Sequence, residues 1–88
     1  MIGEQTNDAE AVGLRALGWA LSDDSRAGRL LALTGLTPAT LRAGIAEPAL
    51  LAAALRFLEA HEPDLVACAE ALSLEPHRLV EARRELER

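Results

Sequence analysis

Lysine and tyrosine are absent from this chain, and cysteine, tryptophan and phenylalanine occur once each. Each shortage excludes something. A single cysteine, Cys68, cannot form an internal disulfide, which fits a reducing cytoplasm. The longest uninterrupted apolar run is residues 49–55, whereas a membrane-spanning helix needs about 20 apolar residues. The opening Met1-Ile2-Gly3-Glu4-Gln5 is acidic and has no apolar core, so no signal peptide is expected. Serine occurs only as Ser22, Ser25 and Ser73, and no nucleophile elbow, phosphate loop or dinucleotide fingerprint surrounds any of them. β-Branched and aromatic residues are scarce, which argues against strands.

What is present is leucine, alanine, arginine and glutamate. The 88 residues are 50% hydrophobic and 26% charged, with a formal net charge of −5. That length supports one domain, with a core that buries roughly 60–65% of the unfolded surface. All of the basic residues are arginine, which we read as codon bias in a GC-rich genome. Half the chain being apolar excludes pervasive disorder.

Punctuation divides the chain into helices. Residues 1–6 read as a flexible tail and residues 7–88 as a single helical domain. Asn7 with Glu10 forms a capping-box pattern, predicting a first helix over residues 8–21 with Leu14, Leu17 and Leu21 on one face. Arg15, four residues before Trp19, is placed to cover the indole. The turn at Ser22-Asp23-Asp24-Ser25 precedes a helix over 25–34, which Gly35 ends. Thr37-Pro38 starts a short helix that ends near Gly44. Pro48, Pro63 and Pro76 open three more, so all four prolines fall at helix starts. In the last helix Glu81 and Glu85 can pair with Arg84 and Arg88 on a solvated face.

A shift of 38 residues lays 12–44 on 50–82 and matches Ala16 with Ala54, Leu17 with Leu55, Leu36 with Leu74, Pro38 with Pro76 and Leu41 with Leu79. Roughly four identities would arise by chance in so Ala/Leu-rich a chain, so identity alone does not decide a duplication. Trp19 falling on Phe57, and the common Leu-x-Pro-x-x-Leu, suggest two similar three-helix units.

Residues 30–42, from Leu30 to Arg42, resemble a helix-turn-helix DNA-binding motif. Gly35, Leu36 and Leu41 match its pattern, while Leu31 is too large for the small position and Gly44 replaces an apolar anchor. Charge argues against DNA. Residues 1–44 carry five acids and four arginines (−1), and residues 45–88 carry nine acids and five arginines (−4). Neither half forms the basic face that phosphate binding requires. A DNA-binding reading needs Arg15, Arg26, Arg29 and Arg42 to converge on one face.

Chemistry finds little support elsewhere. Cys68 lies on an apolar helical face with Leu65 and Leu72, which describes a buried thiol better than a nucleophile. His61, Glu62, Asp64 and His77 lack metal-ligand spacing. Asp23-Asp24 reads as cap chemistry, not an acid/base pair. No catalytic, cofactor-binding or metal residue is assigned, and no cofactor is expected.

The block Glu10-Ala11-Val12-Gly13-Leu14-Arg15-Ala16-Leu17-Gly18-Trp19 is distinctive. So are Leu33-Thr34-Gly35-Leu36 with Leu41-Arg42, and Pro48 with Leu51-Ala52-Ala53-Ala54-Leu55-Arg56-Phe57-Leu58, followed by Cys68. Over about residues 8–83 the chain resembles a family of short bacterial proteins known as a domain of unknown function, number three-five-seven-two. It departs from that family's pattern at Arg56, where members often carry an acid, at Ser73, and in having no aromatic before Cys68. The resemblance implies a compact helical, cytoplasmic, bacterial domain, and it carries over no functional residue.

The expectation is an all-α domain, a compact orthogonal bundle of five to six short helices. Leu14, Leu17, Trp19, Leu31, Leu36, Leu41, Leu55, Leu58, Cys68 and Leu79 should lead its core, with Gly13, Ala16 and Gly18 letting a helix approach closely. The function expected is a non-enzymatic protein-interaction or regulatory module with a protein partner or as a homodimer, and with neither nucleic acid nor membrane as partner. The alternative is a helix-turn-helix DNA binder using residues 30–42. The interaction reading turns on whether Leu30, Leu33, Leu50 and Phe57 are covered.

Overall fold

Each helix begins where the local chemistry allows. In the computed structural model, which describes the backbone of residues 2–88 and the side chains of residues 8–88, six helices follow in order: α1 (Ile2–Leu21), α2 (Asp24–Thr34), α3 (Pro38–Ala43), α4 (Pro48–Glu59), α5 (Glu62–Leu72) and α6 (Pro76–Leu86). The four prolines sit in the first turns of α3, α4, α5 and α6, where their missing N–H costs no hydrogen bond. Asp23 caps α2 by accepting from the Arg26 backbone N–H at 2.9 Å.

One start differs from expectation. α1 begins at Ile2, so the backbone of Asn7 lies within the helix and not at its start. No proline interrupts residues 2–8, and extending an existing helix backwards is cheap once a nucleus is formed. The side chains of residues 1–7, including the expected capping role of Asn7, lie outside the described residues.

The six helices fold to a radius of gyration of 12.1 Å. About 12 Å is expected for a compact domain of this length, so the short helices cross and pack instead of forming an extended array. α1, α4 and α6 pack on one another, α5 closes against all three, and α2 lies on α1 and α4. α3 makes few helix–helix contacts and stands at the edge. The fold is an all-α bundle.

The core contains Leu17, Leu30, Leu41, Leu51, Leu55, Phe57, Leu58, Cys68 and Leu79, with alanines between them. Trp19, Leu31 and Leu36 pack against its edge. Leu14 corrects the expectation, because it is 48% exposed. α1 buries Ala9, Val12, Ala16, Leu17 and Ala20 instead. The reason is proximity: α1 packs on both α4 and α6, so small residues must stand at the points of closest approach. At Gly13 a Cβ would lie 3.1 Å from Leu51 Cβ and 3.2 Å from Leu86 Cδ1, which shows how close the helices come. Ala16 shares that role, whereas Gly18 faces open space and does not.

The 38-residue register has a structural counterpart. Ala16 and Ala54, Leu17 and Leu55, Leu30 and Cys68, and Leu41 and Leu79 are all buried. Gly35 and Ser73, also 38 apart, end α2 and α5 in the left-handed conformation, with φ of 75° and 61°. The two units differ at their third helix, since α6 is packed into the bundle and α3 is peripheral.

The expected pairs of Glu81 and Glu85 with Arg84 and Arg88 are replaced by cross-helix pairs. Arg83 of α6 donates to Glu59 of α4 and to Glu87, and Arg56 of α4 donates to Glu87. Packing of α6 on α4 brings these charges together: the Arg83–Glu59 pair is part-buried, and the bonds to Glu87 are exposed. Pairs along one exposed face stabilise little by comparison.

Candidate interaction surface

α2 and α3 are joined by a three-residue turn at residues 35–37. Gly35 takes the left-handed conformation, and its N–H reaches the Leu31 carbonyl at 2.9 Å. Thr37 and Thr40 form a reciprocal capping box in front of Pro38. Leu41 is buried, and Leu36 packs on the core. What this turn presents outward is sparse. The Thr37 and Thr40 hydroxyls bond each other at 3.0 Å, Ala39 has no polar side-chain atom, and Arg42 is the only cation on α3.

The arginines that a phosphate-binding face would need are engaged elsewhere. Arg15 donates to the Leu72 carbonyl at 3.1 Å, at the end of α5. Arg26, not Arg15, covers Trp19, with its guanidinium carbon 3.7 Å from the ring centre. The expected Arg15–Trp19 pair yields because α2 returns beside the end of α1 and places Arg26 over the indole. Arg29 pairs with Asp64 at 3.0 Å and lies over Phe57. Three of the four arginines are thus bound to different parts of the molecule.

The apolar residues on which the interaction reading turns separate cleanly. Leu30 and Phe57 are buried, Leu50 is half-buried, and Leu33 is 73% exposed. Leu33 lies in the last turn of α2, just before the Gly35 cap. Ile45, Val66 and Leu14 are the other exposed large apolar residues among those described. The sequence did not single out Ile45 or Val66. A usable signal existed for each: Ile45 stands in the turn between Gly44 and Pro48, and Val66 lies opposite Cys68 on α5.

Cys68 is fully buried, and burial pushes its thiol up to about 11, against a smaller downward pull from Arg26 and Arg15. It is therefore a neutral thiol at physiological pH. His61 and His77 are exposed, and so are Ser22, Ser25 and Ser73. Among the described residues no group of three His, Cys, Asp or Glu side chains is placed to hold a metal ion. No helix among them is long and apolar enough to cross a membrane.

A second surface lies where α1, α4 and α6 meet. Two adjoining clefts of about 620 and 600 Å³ share Pro48 and Leu86. One runs past Ala9 and the other along Ala49, Ala52 and Ala53 of α4. Nothing in the sequence motifs marked this surface, because its walls come from three helices far apart in the chain.

Among family models, the one described as "Protein of unknown function (DUF3572)" matches residues 6–88. No curated protein and no solved structure matches the chain.

Proposed function

The chain belongs to the DUF3572 family of proteins of unknown function, and from that premise we propose that it is a small, non-enzymatic interaction module acting on a cytoplasmic protein partner or on a second copy of itself. The observation that carries this reading is Leu33. A leucine 73% exposed at a helix end is apolar surface that the domain does not use for its own stability. Ile45, in the turn after α3, is a further exposed large apolar residue. The thiol of Cys68 is buried and neutral, which supports a binding role over thiol chemistry at this residue.

Duplex DNA is the second reading, and the well-formed turn at Gly35 is the observation in its favour. Against it stand the engagement of Arg15, Arg26 and Arg29 within the fold and the acidic balance of the chain.

The test is affinity capture of the tagged protein from its native cytoplasm after nuclease treatment, run in parallel with Leu33→Lys. Lysine suits the last turn of a helix that has no basic residue there, so the variant should fold. A stoichiometric protein held by the wild type and lost with Leu33→Lys is the expected result. Retention by both removes Leu33 from the interface. Recovery of duplex DNA, with binding that weakens steeply as salt rises, would establish the second reading instead.

A further inference from the structure

We propose that the groove between α1, α4 and α6 docks a basic amphipathic helix of a partner protein. The surface is separate from Leu33, since none of its lining residues comes from α2 or α3.

The lining is mixed, and its apolar members are short-chained or half-buried: Ala9 and Ala52, themselves buried, with Pro48 and Leu86 beside them. Ala49, Ala52 and Ala53 are three and four residues apart, so they line one side of α4 and let another backbone approach closely. The rim is acidic. Asp8 and Glu87 are already paired, with Arg78 and with Arg56 and Arg83. Glu10, Glu47 and Glu85 have no arginine or histidine nitrogen within 4.0 Å among the described residues. Arg88 is the one rim cation not committed to such a pair among those residues.

Close-approach alanines beside three carboxylates without an ion-pair partner among the described residues are complementary to a helix with leucines on one face and arginine or lysine at its flanks. The same carboxylates repel an acidic peptide or a nucleic acid. A strand is a poorer fit, because the described main chain is helical and offers no sheet edge to pair with.

The test is fluorescence anisotropy with a labelled four-turn synthetic peptide carrying leucines at helical spacing and arginines on both flanks. A scrambled peptide of the same composition is the control. The full-length protein is compared with Glu10→Gln/Glu47→Gln/Glu85→Gln, with Ala49→Trp and with Leu33→Lys, each checked for helicity. The expected result is binding of the patterned peptide that weakens by about tenfold or more in the triple variant, in Ala49→Trp and in raised salt. The scrambled peptide should bind at least about tenfold more weakly, and Leu33→Lys should bind as the wild type does. The last comparison separates failure of this groove from failure of the Leu33 surface. Equal binding of the scrambled peptide would mean attraction to any polycation and would overturn the proposal. So would no binding, binding indifferent to the groove variants, or a dimer in solution that Ala49→Trp dissolves.

Discussion

The guanidinium of Arg26 lies 3.7 Å from the centre of the Trp19 ring, while its Nη2 donates to the Trp19 backbone carbonyl at 2.9 Å. One side chain thus covers an aromatic ring and closes the end of α1, which has no basic residue in its last turn. α5 also lacks one, and there Arg15 from α1 supplies the charge at the Leu72 carbonyl. Helix ends unsatisfied by their own residues are satisfied across the fold. Arg26→Ala should therefore lower stability by about 1–2 kcal/mol, and Arg26→Lys should recover only part of it. Urea denaturation followed through Trp19 fluorescence measures both, and an unchanged midpoint for Arg26→Ala would refute the role.

The paired left-handed caps make a reciprocal prediction. Ser73, at φ 61°, is the one non-glycine residue with positive φ among those described. Ser73→Gly should stabilise by about 1 kcal/mol, and Gly35→Ser should cost a similar amount, because a Cβ is strained in that conformation. Thermal melts of the two variants should move in opposite directions. Movement the same way would contradict the account.

Glycines inside helices divide by what a methyl would meet. Gly18 and Gly28 have nothing within 4 Å of an added Cβ. Gly18→Ala and Gly28→Ala should each stabilise by about 0.5–1 kcal/mol through helix propensity. At Gly13 the nearest atom is the Leu51 Cβ at 3.1 Å, which cannot rotate away. Gly13→Ala should cost about 1 kcal/mol net, because overpacking between helices exceeds the propensity gain. Denaturant midpoints of the three variants order the effects.

Cys68 should resist thiol reagents until the protein unfolds, since it is fully buried and its thiol is raised to about 11 by burial. The unfolded chain releases this proton near the ordinary value of 9.0 and the folded chain only near 11. The folded state therefore binds more protons between those values, and its stability falls as pH rises through that window. Cys68→Ser should remove the alkaline loss attributable to the thiol while lowering stability at neutral pH by about 1–3 kcal/mol, because it buries a hydroxyl in an apolar site. Reagent modification of the native protein at the rate seen in urea would contradict the burial.

The seam between α4 and α6 should weaken in acid. The Arg56 guanidinium, bonded to Glu87, holds its carboxyl below the ordinary glutamate range, with burial opposing and Arg83 adding to the effect. A depressed carboxyl contributes stability that is present above its unfolded value and lost as pH falls through the folded one. Wild type should exceed Glu87→Gln in stability at neutral pH, and the difference should close as the medium is acidified below the glutamate range. Paired urea titrations along that pH series show whether it closes.

The helices were legible in the sequence because their signals are local. A proline in a first turn, an Asp23 or Thr37 cap and a Gly35 stop act within four residues, so the sequence by itself determined where α2 to α6 begin, and where α2 and α3 end, within a residue or so. The burial of Leu55, Leu58 and Cys68 was readable for the same reason, since a helix repeats its faces every three to four residues. Tertiary structure decided the rest. In α1 the sequence alone does not say how the helix is rotated, and only the closeness of α4 and α6 turns Gly13, Ala16 and Leu17 inward and leaves Leu14 outside. Which arginine meets Trp19, and which acids meet Arg83, likewise depends on helices distant in the chain. The acidic groove and the exposed Leu33 belong to that second class. A residue is a surface or a core residue only once the neighbours that would cover it are in place, and no spacing along one helix contains that information.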